Sequence, residues 1–278
     1  MVRSAAELDS ALDAVPFLIA RAPAIALFVD YDGTLTPIVA RPEDAVLAPE
    51  MRAVLREAAA VLPLVAVVSG RDRSQVEALV GLAELGYVGG HGFDITAPGG
   101  AIRHEVAHEH AHALDGAAAL LLAQLGPIPG IRVERKRFSV ATHVRAVPPE
   151  RWPEVEAAVE RVRSELGLYA QRGKAVYELH PDVDWNKGRA VRWLLQHWLR
   201  DRRGAGEVLP IHLGDDATDE SAFAALAPGG VGIYVGDEVR PTAASLRLRD
   251  PGEVLRFFRT LVGAVRQLRQ RQEQQQQQ

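Results

Sequence analysis

From Ala24 to Val29 the chain is uninterruptedly apolar and then stops at Asp30, the pattern of a strand buried on both faces of a parallel sheet. Residues 51 to 60 (Met-Arg-Ala-Val-Leu-Arg-Glu-Ala-Ala-Ala) are helix formers, and a second apolar run, Leu64 to Val68, ends at Ser69-Gly70-Arg71. The alternation returns near the other end. Val208 to Leu213 runs into Gly214-Asp215-Asp216, Glu220 to Leu226 is helical, and Val231 to Val235 runs into Gly236-Asp237. Short buried strands alternating with helices predict right-handed βαβ units. The expected fold class is therefore α/β, with a doubly wound, Rossmann-like parallel-sheet core whose ligands bind beyond the carboxyl ends of the strands. The polar clusters fall at those ends.

Between about Arg103 and Asp182 the pattern changes. A His-rich stretch of helical character comes first, then two β-like pieces within Ile131 to Arg145, a helix over Trp152 to Leu166, and alternation again from Tyr169 to His180. This predicts an α+β insert, residues 103–182, between two halves of one core, residues 1–102 and 183–266. Gly99-Gly100 and Pro181 to Asp184 are the expected hinges. Residues 267–278 are rich in Gln and Arg, and such a polar tract is expected to stay unfolded.

Composition narrows the function classes. Of 278 residues, 32 are Lys or Arg and 36 are Asp or Glu, so the net charge is 32 − 36 = −4, too balanced for a chain built to coat nucleic acid or an anionic membrane. No window approaches the ~18 consecutive apolar residues that would cross a bilayer. The absence of Cys excludes disulfides, thiolate catalysis and Cys-ligated metals. The first ten residues carry Glu7 and Asp9 without the apolar segment of a secretory signal, so a cytoplasmic location is expected.

Four clusters can carry chemistry. Asp30-Tyr31-Asp32-Gly33-Thr34 follows the first strand, and two carboxylates two residues apart on an extended chain point the same way, which is costly without a cation or a shared proton. Mg²⁺ suits such hard oxygen ligands, and a carboxylate can also attack phosphorus; the plain alternative is a turn. Ser69-Gly70-Arg71-Asp72 offers a hydroxyl and backbone N–H groups that can cradle a phosphate, or simply cap a helix. Lys187, in Asp184-Trp185-Asn186-Lys187-Gly188, opens an amphipathic helix with Val191, Leu194, Leu195 and Trp198 on one stripe. The helix dipole disfavours a cation there, so either an anion lies nearby or the lysine is solvated. Finally, Gly214-Asp215-Asp216-Ala217-Thr218-Asp219-Glu220 sets four acids in six positions, of which the dipole of the following helix explains about two. In conjunction, an acid pair, a hydroxyl, a lysine and an acid cluster at one sheet edge form a phosphoryl-transfer site.

These elements resemble the haloacid dehalogenase superfamily of phosphatases, with its DxDGT, strand-end Ser, Lys and GDD…D in that order. Within it, DYDGTLTPI (30–38), VSGR (68–71), GGHG (89–92) and GDDATDE (214–220) are similar to the trehalose-6-phosphate phosphatase family. In the insert, Glu134, Lys136, His143 and Arg145 fall on that family's E-x-K…H-x-R pattern, and Glu178 on its E-[VLI]-[RK]-P pattern. The resemblance covers about residues 24 to 250. It implies Asp30 as nucleophile and Asp32 as general acid and base. It implies Mg²⁺ held by Asp30, the Asp32 backbone carbonyl and Asp215, with Asp216 and Asp219 in support. Ser69 and Lys187 would hold the phosphoryl oxygens, while Arg71, His91, Glu134, Lys136, His143, Arg145 and Glu178 would bind the substrate. One position departs: His180 stands where the family usually has Arg or Lys.

Other signals carry less. His104-Glu105-Val106-Ala107-His108 has the form of a helical zinc motif, but Ala111 and Leu114 stand where its extension needs Gly and His. Arg132, Arg135, Lys136, Arg137 and Arg145 make a basic run that is short, contains Glu134 and lacks interleaved aromatics, which suits an anionic sugar better than nucleic acid. Gly167 to Lys174 has one residue too many for a phosphate-binding loop and Ala175 where Ser or Thr is required. The expected function is Mg²⁺-dependent dephosphorylation of trehalose 6-phosphate through an aspartyl-phosphate. The alternatives are the same chemistry on sucrose phosphate, glucosylglycerol phosphate or an aminocyclitol phosphate, and a non-catalytic sugar-phosphate sensor. The expected partner is a small sugar phosphate, with neither nucleic acid nor membrane; a synthase partner is not determined by the sequence.

Overall fold

The computed structural model describes residues 3–21, 24–106, 110–173, 175–200, 207–227 and 229–276. The chain forms two units, Met1–His104 with Trp185–Gln278, and Glu105–Asp184. The first opens with β1 (Arg3–Ser4), β2 (Asp9–Ser10), α1 (Ala11–Arg21), β3 (Ala24–Asp30), α2 (Pro49–Val61), β4 (Leu64–Val68), α3 (Arg73–Val80), β5 (Gly86–Gly89) and β6 (Asp94–Thr96), and the chain leaves it on β7 (Arg103–Glu105). The second holds α4 (Ala111–Leu125), β8 (Arg132–Lys136), β9 (Ser139–His143), α5 (Trp152–Leu166), β10 (Leu168–Gly173) and β11 (Val176–Pro181). The first unit resumes with α6 (Lys187–Arg200), β12 (Val208–Gly214), α7 (Glu220–Leu226), β13 (Val231–Val235), β14 (Pro241–Thr242), β15 (Leu246–Leu248) and α8 (Pro251–Gln276).

The core sheet runs in the order β2-β15-β13-β12-β3-β4-β5-β6-β7. It is parallel from β2 to β5 and turns antiparallel at β6. From β3 the chain winds to β4 and β5 on one side, and from β12 to β13 and β15 on the other. The topological switch point therefore lies between β3 and β12, where α/β sheets open a crevice for ligands. Register sets the strand ends level: Val29 pairs with Leu213 and Asp30 with Val68.

Strand β3 explains its own apolar run. Ile25, Leu27 and Val29 pack with Val15 of α1, Leu55 of α2 and Phe257 and Phe258 of α8. Ala26 and Phe28, on the opposite face, pack with Ala190, Val191 and Leu194 of α6 and Ala222 and Leu226 of α7. With helices on both faces the strand tolerates no polar side chain until its last residue. The second unit is built differently, as an antiparallel sheet in the order β10-β11-β9-β8. Val140 and Leu179 bury one face of it against Leu114 and Leu121 of α4 and Val155 and Val162 of α5. The period of two places Glu134, Lys136, Ser139, His143, Glu178 and His180 together on the other face.

Three expectations need correction. The start of the His-rich stretch is β7, so His104 extends along a strand, where the i, i+4 spacing of a zinc helix has no meaning; His108 lies outside the described residues. His104 instead stacks on Trp193, at 4.4 Å between ring centroids and 12° between planes. Gly99 and Gly100 form a tight turn with positive φ inside the first unit, short of the crossing after His104, so they are not the hinge. The Gln-rich tail continues α8 as far as Gln276. Gln and Arg are good helix formers, and an extension of an anchored helix avoids the cost of nucleation that an isolated tract would meet. No described helix is long and apolar enough to cross a membrane.

Phe257 is fully buried between α8 and the sheet. Phe257→Ala is expected to lower stability by about 3–5 kcal/mol, read as a shift in the denaturant midpoint at unchanged slope.

Candidate active site

The loop after β3 is folded tightly on itself. The Tyr31 carbonyl accepts the Leu35 and Thr36 N–H groups at 3.0 Å each, and the Gly33 N–H donates to the Thr36 carbonyl at 2.8 Å. The Tyr31 hydroxyl donates to the Ala45 carbonyl at 2.8 Å, which pins the following loop. Gly33 has φ +84°, and a Cβ there would lie 2.1 Å from Asp215 Oδ2. Only glycine both adopts that conformation and lets the DxDGT turn close against the second acidic loop.

That closeness assembles a cluster of acids. Oxygens of Asp30, Asp215 and Asp219 lie within 4.8 Å of one another. Lys187, the first residue of α6, is buried to 3% exposure and donates from Nζ to Asp30 Oδ1 at 2.7 Å and Asp219 Oδ1 at 2.9 Å. The helix begins there because the Asn186 side chain accepts the Arg189 N–H at 3.0 Å. The two anions supply what a cation at a helix start lacks, so of the two readings open in the sequence the solvated lysine falls away.

Asp219 is fully enclosed. Its Oδ1 meets both Lys187 Nζ and His212 Nε2, the latter also at 2.9 Å, and its Oδ2 accepts the Asp216 N–H at 3.3 Å. Asp216 in turn accepts the Thr218 N–H at 2.7 Å and the Thr218 hydroxyl at 2.6 Å, a local turn ahead of α7. Both oxygens of Asp219 thus meet protein donors, whereas Asp30 and Asp216 are held through Oδ1 alone among the described residues.

The electrostatics separates these acids. Burial by itself would raise Asp219, but the Lys187 cation and the His212 contact outweigh it and hold the carboxyl well below the usual carboxylate range. Burial would likewise strip Lys187 of its proton, yet Asp219 and Asp30 keep it charged. For Asp30 burial dominates, Lys187 offsets it in part, and Asp219 and Asp215 add to it, so its carboxyl sits well above its ordinary value. Burial, then Asp219 and Asp216, push Asp215 up to about 7. Three clustered carboxylates against one ammonium leave a deficit of positive charge on Asp30 and Asp215. A divalent cation with hard oxygen ligands and retained waters fits that donor set.

Asp32, two residues from Asp30, is held by Arg71, whose Nε and Nη2 reach its two oxygens at 2.7 Å each. Arg71 also donates to the Pro42 carbonyl at 2.8 Å and lies over the Tyr31 ring. Ser69, buried at the end of β4, accepts the Arg71 N–H on its Oγ at 3.1 Å. His91 has φ +57°, donates its N–H to the Ser69 carbonyl at 3.2 Å and fills the space beside Gly70. Asp30, Asp32, Ser69, Arg71, His91, Lys187 and Asp215 all belong to the first unit.

The second unit carries its own polar cluster. Lys136 Nζ and Ser139 Oγ donate to Glu178 Oε1 at 2.9 and 2.6 Å, and His143 Nε2 lies 2.8 Å from Glu134 Oε2. Burial raises the Glu134 carboxyl, but the His143 hydrogen bond, with Lys136 and Arg132, brings it below its ordinary value. His180 is buried two residues beyond Glu178 on the same strand, and Arg145 is exposed past the end of β9.

Two functional neighbours escaped the sequence reading. His212 sits inside an otherwise apolar strand, and Ser139 looks like an ordinary strand residue. A signal existed for Ser139, because a hairpin pairing Lys136 with Ser139 sets the two side chains side by side.

A carboxylate pair, a buried lysine and an acidic loop thus meet at the switch point of a doubly wound core whose chain is interrupted by a separate α+β insert. The trehalose-phosphatase family model matches residues 28–251. The chain belongs to the trehalose-phosphatase family. It is 45% identical over 239 residues to a trehalose-phosphate phosphatase of Mycobacterium ulcerans, covering 84% of this chain and 60% of the relative. To that of Mycobacterium bovis it is 43% identical over 275 residues, covering 96% and 68%. The chain thus spans some three fifths to two thirds of the length of these relatives. The fold is shared with the C-terminal domain of a Candida albicans trehalose-6-phosphate phosphatase, at a TM-score of 0.78 and 23% identity, over 92% of this chain and 98% of that one.

The position of Asp215 predicts a pH signature. In the metal-free protein its carboxyl stays protonated up to about 7, whereas in the unfolded chain it ionises near 4. The folded state therefore binds more protons in that window, and the cost of holding Asp215 grows as pH rises from about 4 to about 7, then levels. In chelator, the melting temperature of Asp215→Asn is expected to exceed that of the wild type by little at pH 4.5 and by most at pH 7.5. An equal difference at both pH values overturns this account.

Proposed function

We propose that the protein is a Mg²⁺-dependent phosphohydrolase that converts trehalose 6-phosphate to trehalose and phosphate through an aspartyl-phosphate on Asp30. The observation that carries the chemistry is the buried Asp30 carboxylate at the sheet switch point, with one oxygen fixed by Lys187 at 2.7 Å. Family membership supports the substrate.

In this reading the free oxygen of Asp30 attacks phosphorus, and the bond from phosphorus to the sugar oxygen breaks. Asp32 gives a proton to the departing sugar oxygen. It then takes one from the water that attacks the phosphoryl group, which releases phosphate and restores Asp30. Arg71 grips Asp32 through both its oxygens, which fixes the plane of the carboxyl group. Lys187 holds Asp30 in place and, with Ser69, offers donors to the phosphoryl oxygens. Asp30, the Asp32 backbone carbonyl and Asp215 would hold Mg²⁺, which would supply the positive charge that lets an anionic carboxylate approach an anionic phosphate. Asp216 and Asp219 support that site indirectly, through the acidic loop and Lys187. Arg71, His91, Glu134, Lys136, His143, Arg145 and Glu178 form the proposed substrate-binding set. Paired donors and acceptors of this kind suit a neutral sugar rich in hydroxyls.

Phosphate release is expected from trehalose 6-phosphate, far above glucose 6-phosphate and sucrose 6-phosphate, and is expected to stop in chelator. Faster release from another ester keeps the Asp30 chemistry and moves the error to the insert; no release from any ester brings the sensor reading forward. Asp30→Asn is expected to cut kcat roughly 10³-fold or more while the far-UV spectrum is unchanged, and retained activity removes Asp30 as nucleophile.

A further inference from the structure

His212 lies at the centre of β12 with no exposed surface. Its strand neighbours Ile211 and Leu213 pack into the apolar cluster of α1, α2 and α8, while His212 faces the other way, its ring 5.6 Å from that of Phe223 in α7. An apolar side chain would fill this place without loss, whereas an imidazole must be desolvated and costs free energy unless it is hydrogen-bonded. The ring makes one such bond, from Nε2 to Asp219 Oδ1 at 2.9 Å, and its buried Nδ1 has no partner among the described residues. Because the partner is a carboxylate, Nε2 carries the proton; a bare Nδ1 is then an unused acceptor, which costs less than a buried unpaired N–H on a cation.

Among the described residues, that Asp219 oxygen has no donor besides His212 and Lys187. Its carboxylate is oriented by donors from three segments: His212 on β12, Lys187 on α6 and the Asp216 N–H in the acidic loop. Of these the backbone donor is the longest, at 3.3 Å. Asp219 Oδ1 is also half of the cradle for the Lys187 ammonium, whose other half is Asp30 Oδ1.

We infer that His212 is a positioning residue for the phosphatase reaction: its Nε2–H fixes Asp219, Asp219 fixes the Lys187 ammonium, and Lys187 fixes Asp30 Oδ1. The inference rests on the reading of Asp30 as the attacking carboxylate. His212 touches neither substrate nor the reacting atoms, and its effect reaches them through two intervening side chains. Loss of the donor frees Asp219 to rotate, the ammonium follows, and Asp30 no longer presents its free oxygen in one orientation. Such misplacement acts on the chemical step more than on substrate binding.

The test compares wild type, His212→Leu and His212→Gln, the last retaining an N–H donor. Three measurements are made: kcat and KM on trehalose 6-phosphate and p-nitrophenyl phosphate, the melting temperature, and nitrogen-15 NMR of the His212 ring and the Lys187 ammonium. In the wild type the ring is expected as the single neutral form with its proton on Nε2, and the ammonium as a slowly exchanging signal. His212→Leu is expected to lose kcat about tenfold or more with KM within about twofold, and to lose the slow ammonium signal. His212→Gln is expected to regain most of both, whatever the order of the melting temperatures. A proton on Nδ1, wild-type kcat in the Leu variant, or activity that follows melting temperature instead of the donor overturns the inference. Should the wild type hydrolyse neither ester, the proposed function fails on its own, and the ammonium signal in the Leu variant still decides the positioning. Should the Leu variant fail to fold, the ring proton in the wild type and the ammonium signal in the Gln variant decide it.

Discussion

Lys187 reaches from the first turn of α6 to Asp30 at the end of β3 and to Asp219 ahead of α7, so that three segments far apart in the chain meet at one ammonium nitrogen. All three groups are withdrawn from water. Desolvating an ion costs several kcal/mol, and mutual attraction offsets this only when the geometry is good and the remaining lone pairs are filled. Here the strand register sets Asp30 level with the end of β4, the Asn186 cap starts α6 so that residue 187 faces inward, and the tight turn at Gly33 brings the acidic loop close. An error in any of the three would leave a buried charge unpaired, at a cost of about 3–5 kcal/mol. The ion pair therefore selects one arrangement of the switch point among the many that hydrophobic packing alone would accept.

The same arithmetic leaves the site incomplete. Lys187 and His212 hold the Asp219 carboxyl low, whereas burial, with the neighbouring carboxylates, pushes Asp30 and Asp215 up despite the same ammonium. A protein optimised for stability alone would replace Asp215 with a neutral side chain. Retaining a carboxyl there makes sense where a cation shares the site, because ligand binding to the folded state then adds stability by mass action. Folding, metal affinity and pH thus act on one group of side chains.

Much of this was legible in the sequence because the relevant signals are local. The uninterrupted runs that became β3, β4, β12 and β13 end at polar residues, and a buried strand has only its carboxyl end at which to place them. Helix α5 and the strands of the insert could be read from periodicity. What escaped depends on tertiary environment. Strands β5, β6 and β7 are three or four residues long and rich in glycine or charge, so period and propensity are silent. The strand at His104 was taken for helix because His carries little preference of its own, and its ring found a stacking partner in Trp193, far along the chain. The tail was taken as unfolded from composition, whereas its conformation follows from the helix it extends. How Asp219 and Asp216 support the site also lay beyond the sequence, which shows acids but not the donors bound to them. His212 could not be singled out at all, since its partner is seven residues away across a turn and its strand is otherwise apolar.

The two units answer to different physical demands. At the core's switch point Asp30, Asp32 and Asp219 each have a charged partner within hydrogen-bonding distance, which would suit the proposed reaction, in which charge moves and the surroundings must not. The polar face of the insert is softer. Glu178 shares one oxygen between an ammonium and a hydroxyl, and Glu134 meets an imidazole. Under the proposed function such a face would meet the hydroxyls of the sugar, and changes in it would alter which sugar is read while leaving the phosphoryl chemistry in place. His180 belongs to this face. A histidine in place of a longer cation shortens the reach, so under the proposed function His180 would bear on the choice of substrate and not on the phosphoryl step.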